Sequence, residues 1–230
     1  MEPSSFEPGA IVPLAVAVPP GSAFVSVAGE AALARVVRAL LGPGRVLASR
    51  IVVVAADPLV DGVRTCLDAA GLSAVSVLGA GAAASRHACL AAGLDLLGRE
   101  PYSSSHVLVG DHRHPLASAE VTDRVIAGLR AGHRVVVPVL PLTDTVKAVD
   151  DRGAVEGTVD RTALRSVQYP RGYQRQALAE LIVRDGDELA AALSLGVPLA
   201  GVDGDADAFA ADLPADADLL AAITATRRPG

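Results

Sequence analysis

Short runs of Val, Ile and Ala, each followed by a stretch of helical period, recur through the first half of the chain. This alternation restricts the fold more than any other feature. The runs are Ala10–Val18, Arg50–Ala55, Ala74–Leu78, His106–Val109 and Arg134–Val139, and between them lie Glu30–Leu41, Pro58–Ala70, Ser85–Leu97 and Ala119–Ala131. Strands apolar on both faces must be covered on both faces. Strand–helix repeats of this kind therefore predict an α/β architecture, a mostly parallel sheet sandwiched by helices in the Rossmann-like manner. Leu33, Val36, Val37 and Leu40 fall at i, i+3, i+4 and i+7, one face of a helix. Asp57 before Pro58 is expected to cap the second helix.

The rhythm changes after Val139. Leu142–Val149 and Ala154–Val159 read as extended segments around an Asp150-Asp151-Arg152-Gly153 turn, so residues 140–163 form an inserted β-hairpin. Arg165–Gln168 returns to strand character, and helices are expected over Gln174–Val183 and Asp187–Leu195. The acidic stretch Val202–Asp218 reads as a loop with a short strand. A last helix covers Ala215–Thr226, and Arg227–Gly230 is expected to fray. With no repeat and no linker, residues 1–230 read as a single domain.

Composition removes several classes of function. A net charge of −6 argues against a general nucleic-acid binder, which should be basic. No uncharged apolar run reaches the roughly 18 residues of a membrane span, and the longest candidate is broken by Pro13, Pro19, Pro20 and Gly21. No basic segment precedes it, which argues against a secretory leader. Two cysteines, Cys66 and Cys89, make no disulfide framework and fit a reducing cytoplasm. Lys147 is the only lysine, so chemistry that needs two is excluded.

Several motifs then carry a specific resemblance. Pro138-Val-Leu-Pro-Leu-Thr-Asp144-Thr145-Val-Lys147-Ala-Val-Asp150 and Thr158-Val-Asp-Arg161 flank the hairpin turn. Gln168-Tyr-Pro170-Arg-Gly-Tyr173 follows, Val107-Leu-Val-Gly-Asp111 precedes, and Arg86 stands in Ser85-Arg-His-Ala-Cys89. Together these resemble the methylerythritol-phosphate cytidylyltransferases of the non-mevalonate isoprenoid pathway. That family joins CTP to 2-C-methyl-D-erythritol 4-phosphate and releases pyrophosphate. The resemblance implies a nucleotidyltransferase fold, a homodimer built through the hairpin arm, and a magnesium ion where catalysis is active. It implies substrate contacts at Arg86, Asp111, Thr145 and Arg161, with Asp111 and, by alignment, Asp207 as metal carboxylates. The turn Gly79-Ala-Gly81 would lie beside the cytosine.

The first loop departs from the family pattern. Where the family has a Gly-rich loop with Arg and then Pro-Lys, this chain reads Pro13-Leu-Ala-Val-Ala-Val-Pro-Pro-Gly-Ser22-Ala-Phe24. Glycines let successive backbone N–H groups curl around phosphate, whereas proline has no N–H and branched side chains hold the backbone away. His114 replaces the arginine of His-Asp-Ala-Ala-Arg, Ala210 a second lysine, Tyr169 a threonine and Ala88 an aspartate. Weak or lost catalysis is therefore expected, in a dimeric pseudoenzyme-like or ligand-sensing homologue. Two enzymatic alternatives stand beside it. One is an active nucleotidyltransferase that clamps phosphate with arginines such as Arg86 and Arg113. The other is a metal-dependent hydrolase at Asp111, His112 and His114, because alternating histidines at a strand end can share a metal. The Gly79–Ala84 turn also meets a dinucleotide fingerprint, but Glu100 would fall at a helix end instead of on the second strand where a ribose partner belongs.

Overall fold

A computed structural model describes residues 6–19, 21–99, 103–184 and 187–226. The first half of the chain runs β1 (Gly9–Leu14), β2 (Ser26–Val27), β3 (Glu30–Ala31), α1 (Ala32–Leu40), β4 (Ile51–Ala55), α2 (Val60–Ala69), β5 (Ser76–Gly79), α3 (Arg86–Leu96), β6 (His106–Val109), α4 (Ala119–Arg130) and β7 (Val135–Pro141). It continues β8 (Val146–Val149), β9 (Val155–Val159), β10 (Arg165–Val167), β11 (Arg171–Gln174), α5 (Arg175–Leu181), α6 (Glu188–Ser194), β12 (Leu199–Asp203) and α7 (Ala217–Thr226).

The main sheet has the order β5-β4-β1-β6-β11-β7, with β10 and β12 also paired to β7. Strands β5, β4, β1 and β6 are parallel, β11 runs against both β6 and β7, and β12 is parallel to β7. Among the described strands of this sheet, β10 and β11 oppose the common direction. Alternation along β1 distributes the two cores. Ala10, Val12 and Leu14 meet Leu33, Val36, Val37 and Leu40 of α1, with α2 and α4 beside them. Ile11 faces the other layer, where Cys89, Leu90 and Leu94 of α3 join residues of α5 and α6. On that side α3 approaches closely, because a Cβ at Gly93 would lie 2.8 Å from Ile11 Cδ1.

The α/β reading is therefore right, and its errors are local. The first strand stops at Leu14 instead of Val18, where its register with Ala55 ends and Val16 turns away to the Ala84 carbonyl. Glu30 and Ala31 belong to a small β2–β3 hairpin, not to the helix. Asp57 is not a cap. It sits in a 3-10 turn, and its carboxylate accepts from Gly81 N–H across the sheet edge at 3.0 Å. Strand β11 was unforeseen: Arg171-Gly172-Tyr173-Gln174 has no apolar alternation, and Gly172 is required because a Cβ there would lie 2.6 Å from Val125. The 146–159 hairpin forms with its turn at Asp150, whose Oδ1 accepts from the N–H groups of Arg152 and Ala154. The tail from Arg227 and residue Glu100 lie outside the described residues.

Candidate functional site

Ligands of open parallel sheets bind beyond the carboxyl ends of the strands. Here that edge is formed by the segment after β1, the start of α3 and the segment after β6. The segment after β1 folds on itself and onto the turn before α3. Val16 donates to Ala84 O, Val18 to Ala15 O, Ser22 to Pro19 O and Phe24 to Gly21 O, all within 2.9–3.0 Å. Gly21, at φ +82°, makes the turn into a 3-10 helix over Ser22–Phe24. Ser22 is buried, and its Oγ shares a 3.1 Å hydrogen bond with His112 Nε2, so the segment is tied to the end of β6. Backbone donors that already have carbonyl partners do not form an anion nest.

Between this segment and the strand ends lies a cavity of about 220 Å³, lined by Pro13, Ala15, Ala17, Val18, Pro19, Arg86, Asp111, His112 and Arg113. Its charges are paired. Asp111 is buried, and its Oδ1 accepts from the Arg113 backbone N–H at 2.9 Å and from Nε at 3.1 Å, while Oδ2 accepts from Nη2 at 2.8 Å. Burial alone would push the Asp111 carboxyl up, but these bonds and the guanidinium charge hold it down at about 2. Arg86, the first residue of α3, follows Ser85, whose hydroxyl caps the helix by accepting from Ala88 N–H. Its Nε donates at 2.9 Å to Oε1 of Glu188, a carboxylate with no solvent exposure, and its Nη2 donates at 3.1 Å to the Tyr169 hydroxyl. Burial lowers the Arg86 pKa, yet Tyr169, Glu188 and Asp111 outweigh it and raise it overall. Burial likewise lowers His112 and His114, which favours neutral imidazoles.

Of the residues singled out in the sequence, Arg86 and Asp111 meet at this cavity. Thr145 and Arg161 do not line it. They are exposed at the base of the hairpin, where Arg161 donates to the Thr143 carbonyl. Gly79 ends β5 and Gly81 follows it, both exposed, with Gly81 N–H donating to the Asp57 carboxylate. Asp207 is half-buried in the loop after β12, and its N–H donates to Asp205. Glu188 and the Ser22–His112 contact had no signal in the sequence, since each joins segments that only the fold brings together. Gln168 is also central: its side chain donates to Asp205 O and accepts from Asp205 N–H, which joins β10 to the loop after β12.

Divalent metal requires carboxylate oxygens with open lone pairs. Asp111 retains one such position, beside a guanidinium that repels a cation, and among the described residues no second carboxylate lines the cavity. Among the described residues no group of three His, Cys, Asp or Glu side chains gathers. The arrangement does not fit the ion. The hydrolase reading of Asp111, His112 and His114 finds no support either, because His114 donates through Nδ1 to the Ala208 carbonyl and His112 is engaged with Ser22.

The sequence profile of the 2-C-methyl-D-erythritol 4-phosphate cytidylyltransferases matches residues 16–226. The chain belongs to this family. A cytidylyltransferase of that name from Rhodococcus opacus is 36% identical over 205 residues, 87% of this chain and 85% of the relative. One from Nocardia farcinica is 36% identical over 197 residues, 84% of this chain and 81% of the relative. The crystal structure of the Thermus thermophilus cytidylyltransferase superposes with a TM-score of 0.72 at 28% identity, covering 96% of this chain and all of that one. A synthase structure from Anaerococcus prevotii, at 18% identity and a TM-score of 0.77 over 95% of this chain and 98% of that one, shares the fold. In this cytidylyltransferase homologue, no helix among the described residues is long and apolar enough to cross a membrane.

Proposed function

We propose that this member of the cytidylyltransferase family carries weak or lost cytidylyl transfer and acts as a dimeric, ligand-binding homologue of the enzyme. The observation that carries this reading is the segment after β1. Transfer at an α-phosphate depends on positioning and on charge stabilisation, with donors aimed at the phosphate oxygens. Here the donors of Val16, Val18, Ser22 and Phe24 point to carbonyls of their own neighbourhood, and Ser22 is tied to His112. Arg86 and Arg113 line the cavity but each is matched by a carboxylate, so a polyanion meets little net positive charge.

What remains is a small site. Arg86 still offers guanidinium protons to an anionic group of CTP or of a sugar phosphate, with Asp111 beside it. Thr145 and Arg161 stand at the base of an arm through which, by this reading, two copies associate and complete one another's sites. Two unpaired cysteines, Cys66 and Cys89, fit a cytoplasmic setting. The competing reading is an active nucleotidyltransferase with arginine clamps, for which the guanidiniums of Arg86 and Arg113 in the cavity speak.

One assay decides between them. Pyrophosphate release from CTP, magnesium and methylerythritol phosphate should be at least about a hundred-fold slower than that of an intact family member, the scale of losing one charged donor. Turnover near the relative's rate overturns the proposal and leaves the arginine clamp in its place.

A further inference from the structure

A second and larger cavity, of about 480 Å³, lies between Phe24, the β2–β3 hairpin and α2, and shares no lining residue with the first. Helix α2 turns two faces. Val63 and Leu67 are buried in the core, while Gly62, Thr65, Cys66 and Ala69, at i, i+3, i+4 and i+7, line the cavity together with Ala70. These residues are all small, which leaves the space open. Phe24 lays its ring against this helix, where a Cβ at Gly62 would lie 3.0 Å from Phe24 Cζ. Phe24 also ends the 3-10 helix whose Ser22 is bonded to His112, so that helix is tied to one cavity and lines the other.

The charge in this second cavity has one sign. Glu30 lines it, and among the described residues no arginine, lysine or histidine does. Arg38 stands outside and straps the hairpin to the end of α2: its Nε donates to Glu30 Oε1 and its Nη2 to the Ala70 carbonyl at 2.6 Å. A carboxylate has about four acceptor positions, so this bond leaves Glu30 able to accept from a second cation. The other polar side chains add no charge. Thr65 Oγ1 donates to Asp61 O at 2.9 Å, and burial pushes the Cys66 thiol up, which keeps it neutral. A carboxylate beside an aromatic ring, in a recess of small side chains, is complementary to a cation that carries an apolar body.

We propose that this cavity binds a small hydrophobic amine, with its ammonium on Glu30 and its apolar body between the Phe24 ring and the small-residue face of α2. An anion of the same shape is disfavoured by the same carboxylate. The site depends neither on the loss of cytidylyl transfer nor on dimer formation.

The chain has no tryptophan, so naphthalene fluorescence reports binding directly. Naphthylmethylamine, naphthylmethanol and naphthylacetate share a ring system and differ in charge. Anisotropy titrations with the intact chain should show saturable binding of the amine, binding of the alcohol about tenfold weaker, the scale of one hydrogen bond to a charged group, and the acetate weakest. Glu30→Gln should bring the amine to the affinity of the alcohol and leave the alcohol unchanged. Ala69→Phe, at an exposed position of α2, fills the cavity and should abolish binding of all three. Saturating amine should also slow alkylation of Cys66 by iodoacetamide, a reaction that Cys89 is too deeply buried to share. If Ala69→Phe fails to fold by circular dichroism, this protection locates the site instead. No saturable amine binding, acetate bound as tightly as amine, an unchanged amine affinity in Glu30→Gln, a folded Ala69→Phe that binds like the parent, or Cys66 alkylation that the amine does not slow each overturns the inference.

Discussion

The segment after β1 and the β8–β9 hairpin lie at the ligand edge and beyond it, and they treat their polar groups in opposite ways. The first holds no lysine or arginine, and the N–H groups of Val18, Ser22 and Phe24 find carbonyls within it while Val16 donates to Ala84. The second carries Asp144-Thr-Val-Lys147 and Thr158-Val-Asp-Arg161, yet among the described residues its strands pair only with each other. Val149 and Val155 stand 57% and 64% exposed upon it. A two-stranded ribbon is marginal in water without further packing. By the proposed reading, one region is closed without a ligand and the other is completed by a second copy.

If the ligand edge is complete on its own, its buried charges must stabilise the ligand-free chain. Glu188 is the strongest case, with no exposure and with Arg86 Nε at 2.9 Å and Arg171 Nη1 at 3.5 Å. Glu188→Ala removes the carboxylate partner of Arg86 and leaves Arg171, 5% exposed, with Asp187 alone, and should lower stability by about 3–5 kcal/mol in urea unfolding. A loss below about 1 kcal/mol would mean that the edge is loosely held and open to rearrangement by ligand. Asp111 gives the next effect. Its folded pKa, about 2, lies below the ordinary 3.8, so its contribution is present above 3.8 and disappears as pH falls through 2. That difference corresponds to about 2 kcal/mol. Asp111→Asn should cost about that much at neutral pH and flatten the stability profile across this acid window.

Much of this was legible in the sequence, for identifiable reasons. β1, β4 and β6 announce themselves because strands buried on both faces must be Val- and Ile-rich. Strand β11 does not, because Arg171 is buried by pairing with Asp187 and Glu188, and no local pattern reveals a partner 16 or 17 residues away across a helix start. Arg86 and Asp111 were readable because they stand in motifs at strand and helix ends. Glu188 was not: beside Asp187, whose carboxylate caps α6 by accepting from Ala190 N–H at 2.7 Å, it looks like one more first-turn acid. Its burial depends on Arg86, 102 residues earlier. The tie between Ser22 and His112 spans 90 residues and had no local trace either.

That tie supplies the third effect. Ser22→Ala removes one buried hydrogen bond and leaves His112 Nε2 without it, a loss of about 1–2 kcal/mol. Hydrogen exchange should show the amides of Val16, Val18 and Ser22 losing protection ahead of the sheet. Unchanged protection would mean that the segment is held by its own backbone bonds alone.

The smallest effect on folding belongs to the hairpin, and it is the sharpest check on the comparison. Val155 has more than half its surface in solvent and packs against little of its own chain, so Val155→Asp should change unfolding free energy by no more than about 0.5 kcal/mol at low protein concentration. The same charge placed on a face that a second copy covers would be desolvated without a counterion, so self-association in sedimentation velocity should fall sharply. A monomeric parent chain would remove the partner from the account and leave Val149 and Val155 simply exposed. A variant that unfolds easily while the parent is monomeric would show that the hairpin packs on its own protomer, and the contrast between a closed loop and an open arm would disappear.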